Sequence, residues 1–201
     1  IYGRNPVREA LRGIRSGSVR EVWATAGAAR EPWLSGVEVR TVVGEEIERR
    51  CASGAHQGIC AEAGPYPYAS ADELLAGESP VLVALDQVQD PQNLGSICRT
   101  AECAGAAGVV IPQRRAAEVT PAVCKASAGA VEYLRLAQVR NMADFLADAR
   151  RAGCWCYGAS AGGWPIFDRQ GAQPPVPYDA PDYSGAGVVL VLGSEGGAAV
   201  V

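Results

Sequence analysis

The chain has 201 residues, 48% of them hydrophobic and 20% charged, and a net charge of −4 at neutral pH. That length buries a real core in one large domain or in two smaller ones, and the composition is that of a soluble globular protein. No apolar run reaches the ~18–20 residues that span a bilayer, and no charged-then-apolar segment opens the sequence. A membrane protein is therefore not expected, and the cytoplasm is the expected location.

Seven cysteines, an odd number without repeating spacing, fit reduced and mostly buried thiols better than a disulfide framework. Cys154 and Cys156 lie in a strand-like run that would point both sulfurs to one face, but zinc would need two further ligands and the only histidine, His56, is far away in sequence. No metal site is expected. The negative net charge argues against a protein that coats nucleic acid indiscriminately. The first twenty residues nevertheless carry Arg4, Arg8, Arg12, Arg15 and Arg20 against the single acid Glu9. A local basic face on an acidic body suits selective contact with a polyanion, and a solvated helix face fits the same residues.

Asn5-Pro6 has the chemistry of a helix start, from which Val7, Leu11 and Ile14 recur at helical spacing with Arg8, Arg12 and Arg15 one step round. EVWATA (21–26), VEVRTVV (37–43) and QGICAEA (57–63) read as strands, with GEEIERRCA (44–52) as a helix. Residues 1–63 thus form a compact α/β unit. The stretch 64–80, rich in Pro, Gly, Ser and Ala, reads as a linker with room for one short helix. From residue 81 onward VLVALD (81–86), GVVI (108–111), VEYLRL (131–136), CWCYGA (154–159) and GVVLVLG (187–193) alternate with helix-like stretches near 93–106, 120–128 and 141–152. Apolar strands spaced by helices predict a parallel sheet covered on both faces. The irregular segment 162–187, with five prolines, is expected to be a surface excursion and a candidate lid.

In open parallel sheets ligands bind beyond the carboxyl ends of the strands. Three such ends carry notable residues: DPQNLGSICRT (90–100), Gly158-Ala159-Ser160, and Leu192-Gly193-Ser194-Glu195-Gly196-Gly197. If the three strands are neighbours, their loops make one pocket. Asn93 reads as a helix cap, Gly95 as a point of close packing, and Arg99 as a cation in a small apolar run, where it would meet a carboxylate or a phosphate. Asp86 and Asp90 read as loop-shaping and capping carboxylates and not as magnesium ligands. Gly158, Gly162 and Gly163 lack the spacing of a dinucleotide-binding loop, which sets a dehydrogenase aside.

These residues resemble a known family. DPQNLGSICRTAECAG (90–105) is similar to motif 1, and LVLGSEGG (190–197) to motif 2, of the SpoU-type (TrmH/RlmB-like) RNA ribose 2′-O-methyltransferases of the SPOUT superfamily. IYGRNPVREAL (1–11), GAHQGI (54–59) and IPQRRAAEVTPAVCKASAGAVE (111–132) resemble the RlmB-like branch of that family. The resemblance implies an α/β fold with a knotted parallel-sheet catalytic domain at 81–201, preceded by an L30e-like RNA-holding domain at 1–63 and the linker 64–80. It implies S-adenosylmethionine as methyl donor, a homodimer, and RNA as substrate, with a guanosine of 23S ribosomal RNA as first choice and transfer RNA as second.

Carried over by position, Asn93, Arg99 and Glu195 are the catalytic candidates, and Gly193, Ala159, Leu192, Ser194 and Gly196 the cofactor-binding ones. Arg4, Arg8, Arg12, Arg114 and Arg115 are the RNA-binding candidates. The family's arginine is often described as general base. A free guanidinium keeps its proton at physiological pH, so clamping a phosphate and steadying the developing alkoxide suits Arg99 better. The family continues past motif 2 into a third motif and a last helix, and neither is present in this sequence. With Ile1 in place of an initiator methionine and an apolar segment at Val201, the chain reads as trimmed at both ends. A noncatalytic RNA-binding module is the competing expectation.

Overall fold

A computed structural model of the chain describes residues 1–159, 166–168, 171–173, 176–181 and 183–193. The chain divides into two compact units, neither contiguous in sequence: residues 1–67, 91–100 and 117–133 form the first, and 68–90, 101–116 and 134–201 the second.

In the first unit, helix α1 (Arg4–Ala10) precedes strand β1 (Val19–Ala24), which pairs in parallel with β2 (Val39–Thr41) and antiparallel with β3 (Ile59–Ala63). Helix α2 (Gly44–Cys51) lies between β2 and β3 in sequence. One cluster gathers Val7 of α1 with Val22, Ala24, Ile59 and Ala61, and a second packs Ile47 of α2 on Trp23 and Cys60. The alternation along β1 and β3 thus feeds two covered faces.

Helix α1 differs from expectation. It begins at Arg4, behind Gly3 at φ 97°, and not at Asn5-Pro6, so Pro6 sits within the first turn, where its missing N–H costs nothing. The helix closes at Ala10, leaving Ile14 47% exposed. Arg15 is not part of a basic face. Only 5% exposed, its guanidinium donates to both carboxylate oxygens of the fully buried Glu132 and to Cys124 Sγ. The same guanidinium lies 5.5 Å from the ring centre of Tyr66, whose hydroxyl donates to the Val131 carbonyl.

This ion pair explains the second difference. VEYLRL does not start a strand at 131: Gly129 turns through φ 92°, Ala130–Glu132 form a single 3-10 turn that delivers Glu132 to Arg15, and the strand begins at Leu136. Helix α5 (Pro121–Ala126), capped by Thr120, precedes that turn. Helix α4 (Pro91–Cys103) contributes its first ten residues to the first unit and the rest to the second.

The second unit contains, among the described residues, a five-stranded parallel sheet in the order β6 (Leu136–Val139), β5 (Gly108–Pro112), β4 (Val81–Asp86), β10 (Val188–Gly193), β7 (Trp155–Ala159). Helix α3 (Ala71–Leu75), the short helix anticipated between 64 and 80, and α6 (Met142–Arg151) cover one face. Leu74, Phe145, Leu146 and Ala149 pack there on Leu82, Ala84, Val110, Ala137, Val189 and Val191. A hairpin of β8 (Ile166–Asp168) and β9 (Gly171–Gln173) interrupts the expected excursion at 162–187. Among the described residues no helix is long and apolar enough to cross a membrane.

Candidate active site

The strand order makes β4, β10 and β7 consecutive neighbours, and their register brings the three carboxyl ends level. Gly193 pairs with Asp86, while Leu192 pairs with Leu85 on one side and Ala159 on the other. A pocket beyond these ends is the expected ligand position in such a sheet. Ala159 is exposed, and Leu192 and Gly193 are half-buried. Ser194, Glu195 and Gly196 lie outside the described residues.

Ala159 and Leu192 also line a groove of about 680 Å³ on the β7–β10 side of the sheet. Its floor follows from strand alternation, because Leu190 and Leu192 of β10 pair with Tyr157 and Ala159 of β7 and point the same way. Tyr178 and Tyr183 close it from the excursion: the Tyr183 hydroxyl donates to the Tyr178 carbonyl at 2.5 Å, and the Tyr183 ring stands edge-on to Tyr157 at 5.1 Å. The volume falls within the range of small-molecule sites, and the lining is mainly apolar and aromatic among the described residues. Sequence reading missed these tyrosines. The only signal was the density of prolines and tyrosines in the excursion.

Asn93 and Arg99 both lie on α4 and both are exposed. Asn93 is the third helical residue and not the cap, because the helix starts at Pro91, a proline in the first position with Asp90 before it. Six residues apart, Asn93 and Arg99 are separated by about 9 Å along the axis. Arg99 makes no ion pair among the described residues. Gly95 is the point of close packing that its sequence suggests. It is buried inside the helix against α5, where a Cβ would come within 2.4 Å of Ala126 Cβ and 2.9 Å of the Ser127 nitrogen.

Of the basic candidates in the first unit, Arg4 pairs with Glu31 at 2.7 Å and Arg8 with Glu9 at 2.6 Å, while Arg12 is exposed. Burial opposes ionisation of Glu9, yet the Tyr133 hydroxyl and the guanidiniums of Arg8 and Arg12 outweigh it and hold this carboxyl below the usual range. In the second unit, Arg114 and Arg115 are exposed beyond the carboxyl end of β5, and Arg115 takes φ 59°.

Sequence comparison accounts for this combination of sheet and motifs. The profile of the SpoU rRNA Methylase family matches residues 80–198. The chain belongs to this family. A second profile, RNA 2′-O ribose methyltransferase substrate binding, matches residues 1–69. Among SpoU-related proteins, Bacillus subtilis YacO, which carries the name of a TrmH family tRNA/rRNA methyltransferase, is 33% identical over 98% of this chain and 78% of its own length. A protein of Mycobacterium ulcerans named as an uncharacterized tRNA/rRNA methyltransferase is 36% identical, and the chain spans 63% of it. The AdoMet-bound rRNA methyltransferase of Sinorhizobium meliloti shares the fold with a TM-score of 0.73 at 24% identity, over 98% of this chain and 71% of that one. So does the SpoU methyltransferase AviRb of Streptomyces viridochromogenes in complex with AdoMet, with a TM-score of 0.68 at 20% identity, over 98% and 74%.

Proposed function

We propose that this chain binds S-adenosylmethionine at the level ends of β4, β10 and β7 and carries out methyl transfer to a ribose 2′-hydroxyl of structured RNA. A guanosine of 23S ribosomal RNA is the first choice of target and transfer RNA the second. The observation that carries this reading is the register that sets Leu85, Leu192 and Ala159 in one row and Asp86 and Gly193 in the next, with Leu192 and Ala159 lining an apolar groove. The residues there suit the cofactor: small Gly158 and Ala159 admit a flat purine, and Leu190, Leu192 and Tyr157 give it an apolar bed.

Bound there, S-adenosylmethionine supplies an electrophilic methyl on a sulfonium leaving group, so the reaction has no need of a metal. The chain's own task is to align and activate a poor nucleophile. Arg99, exposed and without an ion pair among the described residues, takes a phosphate of the bound RNA and steadies the developing alkoxide as the hydroxyl gives its proton to solvent water. Asn93 lies against the target ribose, and Glu195, Ser194 and Gly196 are the further motif 2 candidates.

Residues 1–63 hold the RNA through Arg4, Arg8 and Arg12, the linker is 64–80, and residues 81–201 belong to the knotted catalytic domain, with Arg114 and Arg115 adding RNA contacts. The partly exposed Arg4–Glu31 pair is worth about 0–1 kcal/mol, so a phosphate can replace its carboxylate at little cost, whereas Glu9, the partner of Arg8, is half-buried and also accepts from the Tyr133 hydroxyl. A homodimer is part of the same proposal.

The test combines calorimetry against S-adenosylmethionine with transfer of a labelled methyl group to ribosomal and transfer RNA, followed by mapping of 2′-O-methyl positions. Cofactor binding and a ribose label in 23S RNA are expected. A label confined to transfer RNA moves the target, and RNA binding with no affinity for the cofactor replaces the enzyme by a noncatalytic RNA-binding module.

A further inference from the structure

Lys125, in the last turn of α5, is held in an unusual way. Its Nζ donates to Gln57 Oε1 at 2.8 Å, and the same oxygen accepts the backbone N–H of Arg4 at 3.0 Å. Two backbone features make room for this arrangement. Gln57 takes the left-handed region at φ 57°, where a non-glycine residue is uncommon. Gly3 stands at φ 97°, and a Cβ there would lie 2.7 Å from the Lys125 nitrogen.

The arrangement supplies no negative charge. Among the described residues no carboxylate lies within ion-pair distance of Lys125, whereas Arg4, Arg8 and Arg15 of the same unit each have one. Partial burial accordingly lowers the pKa of Lys125 with nothing opposing it. An ammonium has three donors, and the amide oxygen uses one. A cation fixed in position, partly removed from water and left without a counter-charge is a site waiting for an anion.

We propose that Lys125, oriented by Gln57 over Gly3, forms a phosphodiester subsite for the RNA substrate. This rests on the RNA reading above. It extends the RNA contacts of the first unit from the arginines of the amino-terminal segment to α5, a contact that the amino-terminal sequence alone does not reveal.

The experiment is fluorescence anisotropy of a labelled RNA stem-loop titrated with the full chain from about 50 to about 200 mM KCl, comparing parent, Lys125→Gln and Lys125→Arg. Loss of one phosphate contact flattens the plot of log affinity against log salt by about 0.9 and weakens binding about fivefold near 0.1 M salt, with Lys125→Arg restoring the slope. A lysine serving only the carboxyl-terminal dipole of α5 would lower the melting temperature of Lys125→Gln and leave the salt slope intact, and that result overturns the proposal. Failure of the parent chain to bind the stem-loop at any salt overturns the RNA reading itself.

Discussion

Replacing Glu132 by Gln removes one charge from the most deeply buried ion pair among the described residues. In the parent, Arg15 Nε lies 3.0 Å from Oε1 and 3.2 Å from Oε2 of Glu132, and Nη2 also donates to Oε1. The glutamine keeps the shape but offers one acceptor, and it turns an amide N–H toward a guanidinium that has only donors. Arg15 keeps its contact with Cys124 Sγ at 3.2 Å and its place against the Tyr66 ring, neither of which carries a formal charge. At 5% exposure it has little access to water, and Gly13 packs so close to Glu132 that a Cβ on it would come within 2.5 Å of the Glu132 carbonyl oxygen.

Breaking such a pair costs about 3–5 kcal/mol. For a cooperative transition in a chain of this size that lowers the melting temperature by roughly 6–20 °C. Circular dichroism melts and urea titrations measure both quantities. The double variant Arg15→Met/Glu132→Leu, which removes both charges and fills similar volume, should recover to within about 1–2 kcal/mol of the parent. Glu132→Gln with a stability within about 0.5 kcal/mol of the parent would refute the argument, because the guanidinium would then be solvated in spite of its burial.

Three further outcomes follow from the geometry. Gly95→Ala gains about 1 kcal/mol in helix propensity but drives a methyl into Ala126 and the α5 backbone, so a net loss of about 2 kcal/mol is expected in urea titration, and a neutral or stabilising result would contradict the packing. Burial, reinforced by Cys124, pushes the Cys98 thiol up to about 12, against 9.0 in the unfolded chain, so the unfolded state releases this proton first; stability holds below pH 9 and then falls by about 1.4 kcal/mol per pH unit up to pH 12, and Cys98→Ser should remove that part of the slope. Arg99→Lys should cut the methyl-transfer rate at least about tenfold without altering the melting temperature, since the residue is exposed and a point charge replaces a bidentate fork; an unchanged rate would remove Arg99 from the reaction.

Much of the second unit was legible because its strands are uninterrupted apolar runs, which only a sheet covered on both faces can accommodate. VLVALD and GVVLVLG became β4 and β10 within a residue of their expected ends. What local pattern could not supply is any feature set by a distant partner. The run VEYLRL has strand-forming chemistry, yet Glu132 is pulled into a helical turn by an arginine 117 residues earlier in the chain. Arg15 shares the spacing of Arg8 and Arg12 but, five residues beyond the end of α1, its direction is set by that carboxylate. Asn93 looked like a cap because amides favour that position, but Pro91 is at least as strong a first helical residue and moved the start from Leu94 to Pro91. The groove tyrosines come from a segment without periodicity, so only tertiary contact reveals them.

The buried pair between Arg15 and Glu132 also sets an order of events during synthesis. At a translation rate of about 5–20 residues per second, the carboxylate follows its arginine out of the ribosome by about 6–23 seconds. During that interval the residues of β1–β3 and α1 have been made, but the Arg15 guanidinium has no carboxylate to meet, and residues 117–133 of the same unit are still being added. The pair cannot close before its carboxylate exists, so this segment is exposed to chaperones and proteases until residue 132 emerges. A ribosome stalled before that point would carry a protease-sensitive chain, and one stalled well beyond it a resistant one.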